Sequence, residues 1–256
     1  MMMNQEYFER YTESVYGRVN RFAPDDRERS LAEFEYLYKG LLPMDKARPV
    51  LDIGCGGGHF LHFLKKKDFL NFYGIDISAQ QVALCRAQVT DRVEVADGLA
   101  FLKDKPGRYA LIAAHDVLEH IPKEKALTFV LLAQAALMDG GILVIRVPNM
   151  SNPLAAQSRY IDMTHETGYT SRSLYQLLFC AGFEDITFKG GLVMLRRGWR
   201  ASLRRVFIRL YYAWVKFLYF VQDFQVPLIP SIMVHLQFYT LSLRLQRLSA
   251  SFLVAL

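Results

Sequence analysis

The feature that most constrains this chain is the stretch from Val50 to Gly58, which reads VLDIGCGGG. Val50 to Ile53 is short, apolar and rich in β-branched side chains, the composition of a buried strand. Glycines follow at once, and His59-Phe60-Leu61-His62-Phe63-Leu64-Lys65-Lys66-Lys67 then carries helical periodicity. Strand, glycine turn and helix form the first half of a βαβ unit. Glycine lets the backbone turn sharply and leaves room for a nucleoside-sized ligand against the main chain. The turn opens on an acid, Asp52, and spaces its glycines as Gly54-x-Gly56. It lacks the Gly-Lys-Ser/Thr ending of a phosphate P-loop, which excludes that class. A tight βα turn with no ligand is the alternative for such a loop taken alone.

The rest of the chain repeats the pattern. Phe72 to Asp76 reads as a second strand ending in an acid, and Ser78 caps a helix through Ala87. Val93 to Val95 is a short third strand, followed by Ala96-Asp97-Gly98. Tyr109 to His115 is the fourth, its start set by Pro106-Gly107. A long apolar helix from about Lys123 to Leu137 gives way at Gly140-Gly141 to a fifth strand, Ile142 to Val147. Asn149 to Thr170 is a long polar loop, which in a compact domain marks a functional segment. Ser171 caps a helix over Leu174 to Cys180, and Gly182 ends it. Asp185 to Lys189 and Leu192 to Leu195 make a closing hairpin around Gly190-Gly191. This is an α/β chain: a doubly wound, Rossmann-like seven-stranded sheet with an antiparallel last strand.

Two flanking regions complete it. Residues 1–45 form an N-terminal helical cap with two apolar stripes. One is Tyr7, Phe8, Tyr11 and Val15-Tyr16; the other is Leu31, Phe34, Leu37, Tyr38, Leu41 and Leu42. Pro24-Asp25-Asp26 separates them and Pro43 stops the second. The stripes cover the sheet edge, or Tyr7, Tyr11 or Tyr16 reaches over a ligand as a lid. Residues 46–197 are the sheet domain and 198–256 a helical tail. The net charge of +6 hides an asymmetry: from Ile186 on there are ten Lys or Arg and one acid, while the preceding residues hold 21 basic and 24 acidic. Three scattered cysteines, Cys55, Cys85 and Cys180, make no C-x-x-C pair, and no signal-peptide pattern opens the sequence. A reducing cytoplasm is expected.

The stretches LDIGCGGG, GIDIS, VADGL, HDVLEHIP and GGILVIRVPN, in that order over residues 45–196, resemble class I S-adenosylmethionine-dependent methyltransferases. The resemblance implies that S-adenosyl-L-methionine binds along Asp52, Gly54, Cys55, Gly56, Asp76, Ile77, Asp97, Gly98 and His115. Asp76 would accept the ribose hydroxyls and Asp97 would face the adenine amino group. Methyl transfer from a sulfonium needs alignment and removal of the nucleophile's proton. No Asn-Pro-Pro-Tyr-like motif follows strand four, which disfavours methylation of nucleic-acid amino groups and amides.

Asp116-x-x-Glu119-His120 and His165 resemble the E-x-x-E-H plus distant histidine of small-RNA 2′-O-methyltransferases and ubiquinone-pathway O-methyltransferases. That likeness implies Asp116, Glu119, His120 and His165 as ligands of Mg²⁺ or Mn²⁺, with Asp116 shorter by one methylene than the family's glutamate. The alternative is a metal-free helix-entry turn, with His165 a general base or a substrate hydrogen-bond partner. Either way His120 and His165, with Asp116, are the catalytic candidates, since imidazoles handle protons near neutral pH. O-methylation is the expected reaction.

The tail is basic, aromatic and amphipathic. Arg196, Arg197, Arg200, Arg204, Arg205 and Arg209 precede or enter an apolar run from Leu210 to Phe220. This suits an in-plane helix on an anionic membrane surface, or a homo-oligomer interface; a nucleic-acid partner is unlikely for so apolar a segment. Val226 to Leu243 lacks formal charge, but Pro227, Pro230, His235 and Gln237 argue against a spanning helix. With DMTHETGYTSRSLYQLLFCAGF, the tail looks like that of bacterial methyltransferases of surface-glycan assembly. The expected acceptor is a sugar hydroxyl of a lipid-linked glycan at the inner face of the cytoplasmic membrane. A lipophilic quinone precursor is the alternative acceptor, and an inactive scaffold the alternative class.

Overall fold

The computed structural model describes residues 24–152, 155–190, 199–221 and 240–246. The first apolar stripe, the expected strand at Leu192–Leu195 and most of Val226–Leu243 lie outside these residues. The chain runs α1 (Pro24–Leu37), β1 (Val50–Ile53), α2 (His59–Lys66), β2 (Phe72–Asp76), α3 (Ala79–Gln88), β3 (Val93–Val95), α4 (Gly98–Leu102) and β4 (Tyr109–His115). After a 3₁₀ turn (Leu118–His120) come α5 (Lys123–Ala136), β5 (Leu137–Pro148), α6 (Ala155–Tyr160), α7 (Ser171–Cys180), β6 (Asp185–Gly190), α8 (Trp199–Val221) and β7 (Thr240–Gln246).

The sheet order is β3-β2-β1-β4-β5-β7-β6. β1 to β5 are parallel, and the order reverses between β1 and β4. Parallel strands are covered on both faces, so they read as continuous apolar runs. The period of two then decides which layer each side chain joins. Leu51, Ile53, Ile112, Ala114, Leu143 and Ile145 pack with Phe129 and Leu174, while Val50, Leu111, Ala113 and Val144 pack with Phe34, Phe60 and Val82. α1 covers α2 rather than a sheet edge: Phe34 meets Phe60 at 5.2 Å between centroids, and Tyr38 stacks on Phe60 at 4.5 Å.

Three element ends differ from the sequence expectation. Proline at a helix start has no amide to satisfy, so Pro24 opens α1, and Asp25 and Asp26 lie within its first turn. β5 begins at Leu137 directly from α5, and its register shifts against β4 between Tyr109 and Leu111. The extra residues Asp139-Gly140-Gly141 sit in that irregularity, with Gly140 at φ 70°. Thr170, not Ser171, caps α7, in a reciprocal pair with Ser173. Finally, β6 pairs antiparallel with β7, which also pairs antiparallel with β5. The sheet thus takes Thr240–Gln246 from the stretch read as tail, and a break at residue 198 separates β7 from the domain it completes.

Candidate functional site

The ends of β1 and β4 meet at the point where strand order reverses, where open α/β sheets bind ligands. Gly54 leaves β1 at φ 69°, and a Cβ there would lie 2.4 Å from Val117 Cγ2 at the exit of β4. No other residue fits both constraints. The amides of Gly54 and Cys55 donate to Ile75 O at 2.8 and 3.0 Å, tying the loop to β2. Asp76, at the end of β2, is held from both sides: Gly56 N donates to Oδ2 and Ser78 N to Oδ1, each at 2.8 Å. A carboxylate has about four lone-pair sites, so each oxygen can take one donor more, as a pair of ribose hydroxyls would supply. Burial pushes the Asp76 pKa up, against the downward pull of the two amides.

Ile77 stands 41% exposed beside it, an apolar surface an adenine ring could cover. Asp97 is exposed beyond β3 and accepts from Ala100 N at 2.8 Å, capping α4, whose first residue is Gly98. These positions share one edge of the sheet. The Cys55 side chain is buried, so only its backbone faces the loop's surface.

Asp52 and His115 lie beneath the loop, not on it. Asp52 is 2% exposed, and its Oδ1 has no hydrogen-bond partner among the described residues. His115 Nδ1 is 3.8 Å from that oxygen, and its Nε2 is 2.8 Å from the hydroxyl of Tyr38. A Tyr38 hydroxyl that donates to Nε2 leaves Nδ1–H facing Asp52. Burial raises the pKa of Asp52 and Tyr38 and lowers that of His115 well below its ordinary value. Burial thus disfavours the charged form of each of the three.

The second half of the site follows β4. Asp116 takes the left-handed backbone region at φ 54°, which aspartate tolerates better than most residues. Its Oδ2 pairs with Arg146 Nη2, while Arg146 Nη1 lies 3.4 Å from Glu33. Burial would lower the Arg146 pKa, but Asp116 and Glu33 outweigh it and hold the guanidinium charged. Asp116 therefore serves as counter-charge to a largely enclosed arginine, and it is not among the residues whose possible ligand atoms gather beside Glu119. The 3₁₀ turn brings Glu119 and His120 inward. Ligand atoms of Glu119, His120 and His165 all lie within 4.8 Å of one another.

The loop carrying His165 is pinned beside the turn. Glu119 O accepts from Glu166 N at 2.7 Å and from Thr167 N at 3.1 Å. Arg159 donates to the carbonyls of His165 and Glu166. His165 Nδ1 lies 2.9 Å from Ser158 O, and a carbonyl only accepts, so Nδ1 carries the proton and Nε2 the lone pair. Thr164 Oγ1 donates to Asp162 Oδ1 at 2.7 Å, so His120 Nδ1 is the donor to Thr164 Oγ1, also at 2.7 Å. Both rings then hold their lone pairs on Nε2. Their centroids are 4.8 Å apart. Burial, then the neighbouring His165, lowers the His120 pKa. Glu119 is 2% exposed, and neither carboxylate oxygen has a partner on another described residue. Burial, then Asp116, pushes its pKa well above the carboxylate range.

Sequence reading missed Tyr38, Arg146, Arg159 and Thr164. Arg146 had a signal: a charge inside the apolar run ILVIRVP needs a buried partner. The others act through contacts that no local pattern encodes.

The model of a methyltransferase domain family matches residues 7–187. No curated protein sequence matches the chain. Among solved structures, it resembles a SAM-dependent methyltransferase from Archaeoglobus fulgidus with TM-score 0.60 and 20% identity, over 95% of this chain and 100% of that one. It resembles magnesium protoporphyrin IX methyltransferase from Synechocystis PCC 6803, with bound SAH, at TM-score 0.59 and 17% identity, over 96% and 98%. Phosphoethanolamine N-methyltransferase 2 of Haemonchus contortus, with S-adenosyl-L-methionine, aligns at TM-score 0.61 and 16% identity over 95% of this chain and 59% of that one. With the strand order, the glycine loop and the fixed carboxylate of Asp76, these matches place the chain in the class I S-adenosylmethionine-dependent methyltransferases.

Proposed function

We propose that this methyltransferase transfers its methyl group to a hydroxyl oxygen, and that the acceptor is a sugar hydroxyl of a lipid-linked surface glycan at the inner membrane face. One observation carries the choice of oxygen: two imidazoles, His120 and His165, stand beside Glu119 next to the cofactor loop, with lone pairs on Nε2. Bound S-adenosylmethionine supplies an activated methyl group with a neutral leaving group. What remains for the protein is to align the acceptor and take its proton. His165 Nε2 is the acceptor of that proton, its ring fixed by Ser158 O and its loop by Arg159. Positioned bases of this kind contribute roughly 10²- to 10⁴-fold in rate.

The same three side chains suit a divalent cation. A carboxylate with unpartnered oxygens and two imidazoles oriented through Nδ1 make a donor set that favours Mn²⁺ over the oxygen-seeking Mg²⁺. Glu119, His120 and His165 would hold the ion, which would acidify an acceptor hydroxyl. A lipophilic quinone precursor is the second reading for the acceptor, favoured by exposed Tyr160, Ile161 and Met163 on the loop that carries His165. Incubating the purified protein with methyl-labelled cofactor and membrane extract, then identifying the labelled product, decides between them. Label on a glycan oxygen supports the first reading, label on a quinone precursor the second, and label on nitrogen overturns both. Absence of cofactor binding would mean a scaffold.

A further inference from the structure

Helix α8 has two apolar faces, and the body of the protein uses one. Ile208 and Val215 are each 8% exposed, and half-buried Tyr211, Tyr212 and Leu218 share their side at helical spacing. The Tyr211 hydroxyl donates to Asn152 Oδ1 at 2.8 Å, tying the helix to the loop that leaves β5. A neighbouring side carries Leu203, Phe207, Leu210, Trp214, Phe217 and Val221, alternately four and three residues apart and 50–61% exposed. Exposed Arg209 and Lys216 border this stripe. A second apolar lip stands at the end of α6 and just before His165, where Tyr160 is 76%, Ile161 58% and Met163 83% exposed.

We propose that the outer stripe of α8, with the Tyr160–Met163 lip, docks on a membrane surface containing anionic lipid. Charge names the occupant. From Ile186 on the chain holds ten Lys or Arg against one acid, while the rest is net acidic, so an anionic surface attracts the tail and repels the body. A second copy seated on the same stripe would bring like charges together, Arg209 and Lys216 among them. The ring-rich stripe with a basic border has the make-up of a helix lying in the interface plane. Among the described residues no helix is long and apolar enough to cross a membrane. The lip adds a second exposed apolar surface, on the segment that leads to His165, so its docking would turn the site toward acceptors held in the membrane. That consequence rests on the O-methyl-transfer reading; the docking itself does not.

The test is flotation of the full-length protein with vesicles of phosphatidylcholine alone or mixed with phosphatidylglycerol. Binding to the mixed vesicles is expected, weakened but not abolished at high salt, because insertion of Trp214 and Phe217 is not screened. The double variant W214A/F217A should bind at least tenfold more weakly while keeping its melting temperature and cofactor affinity, since both side chains are exposed. Met163→Glu, away from the helix, should weaken binding independently. Full-length protein that stays off the mixed vesicles overturns the proposal. So does a stable dimer that W214A/F217A converts to monomers without any change in vesicle binding. If vesicles are bound but membrane extract yields no labelled hydroxyl, the docking stands and the acceptor reading falls.

Discussion

Both oxygens of Asp76 already hold an amide, Gly56 N on one and Ser78 N on the other, so the carboxylate cannot turn away from a ligand. Asp76→Ala should therefore weaken S-adenosylmethionine binding by roughly 1.5–3 kcal/mol, the scale of hydrogen bonds to a charged group. Titration calorimetry showing wild-type affinity would remove Asp76 from the role. His165 is a separate case, because it belongs to the loop after β5 and to none of the strand ends that carry the cofactor motifs. His165→Ala should leave cofactor affinity nearly unchanged while turnover falls by about 10² to 10⁴. If turnover is indifferent both to that change and to a chelator, neither the base nor the metal reading of His165 survives. Restoration by Mn²⁺ of activity lost to the chelator would select the metal. Asp116, by contrast, acts on Arg146. Its replacement should be read first as a stability change, since it leaves a buried guanidinium with Glu33 alone.

At the scale of elements, β1 and β4 were legible because burial on both faces leaves a nearly unbroken apolar run, opened after Pro49 in one and Pro106-Gly107 in the other. The two histidines were legible as chemistry from their type but as neighbours only through the family resemblance, since 44 residues separate His120 from Thr164 and the loop's bonds to Glu119 and His120 close the distance. β7 was hidden differently. Its sequence TLSLRLQ alternates leucine with polar residues, a strand signal, but it follows a long uncharged stretch that drew attention to the membrane question. Its partners, β5 and β6, lie far back in the chain, and such pairing leaves no local trace. The consequence for truncation is concrete. A chain ending at residue 197 keeps every cofactor motif but loses the strand that pairs with seven residues of β5 and six of β6. It should lose on the order of 5 kcal/mol or more of stability and expose a long strand edge prone to aggregation. Hydrogen exchange would show the β6 amides unprotected while those of β1 and β4 keep their protection. Wild-type protection in β6 after truncation would mean that β7 does not support it.

The whole molecule keeps several titratable groups neutral inside, and this sets its response to pH. His115, His120 and His62 have folded pKa values below the ordinary 6.5, with burial the first cause in each. For such a group the unfolded chain takes up the proton that the folded chain refuses. Its stabilising contribution is complete above 6.5 and is lost as pH falls toward the folded value. Asp52 and Glu119 are shifted the other way, upward by burial. Their contribution is present below the ordinary carboxylate range and is lost as pH rises through their folded values. Stability should therefore fall on both sides of a maximum. His115 dominates the acid limb in principle, because it is enclosed by Tyr38, Phe34 and Phe60 and the charge of Arg146 adds to burial in opposing its protonation. Between pH 6.5 and 5.5, a histidine kept neutral costs up to about 1 kcal/mol. For a domain of this size that is a fall of roughly 2–4 °C in melting temperature. His115→Asn removes the titration while leaving a polar group for Tyr38. The variant melts lower at every pH, so the diagnostic quantity is the slope: melting temperature against pH should be flatter below 6.5 than in the wild type. Parallel acid limbs for the two proteins would show that His115 is protonated in the folded state as readily as in the unfolded one.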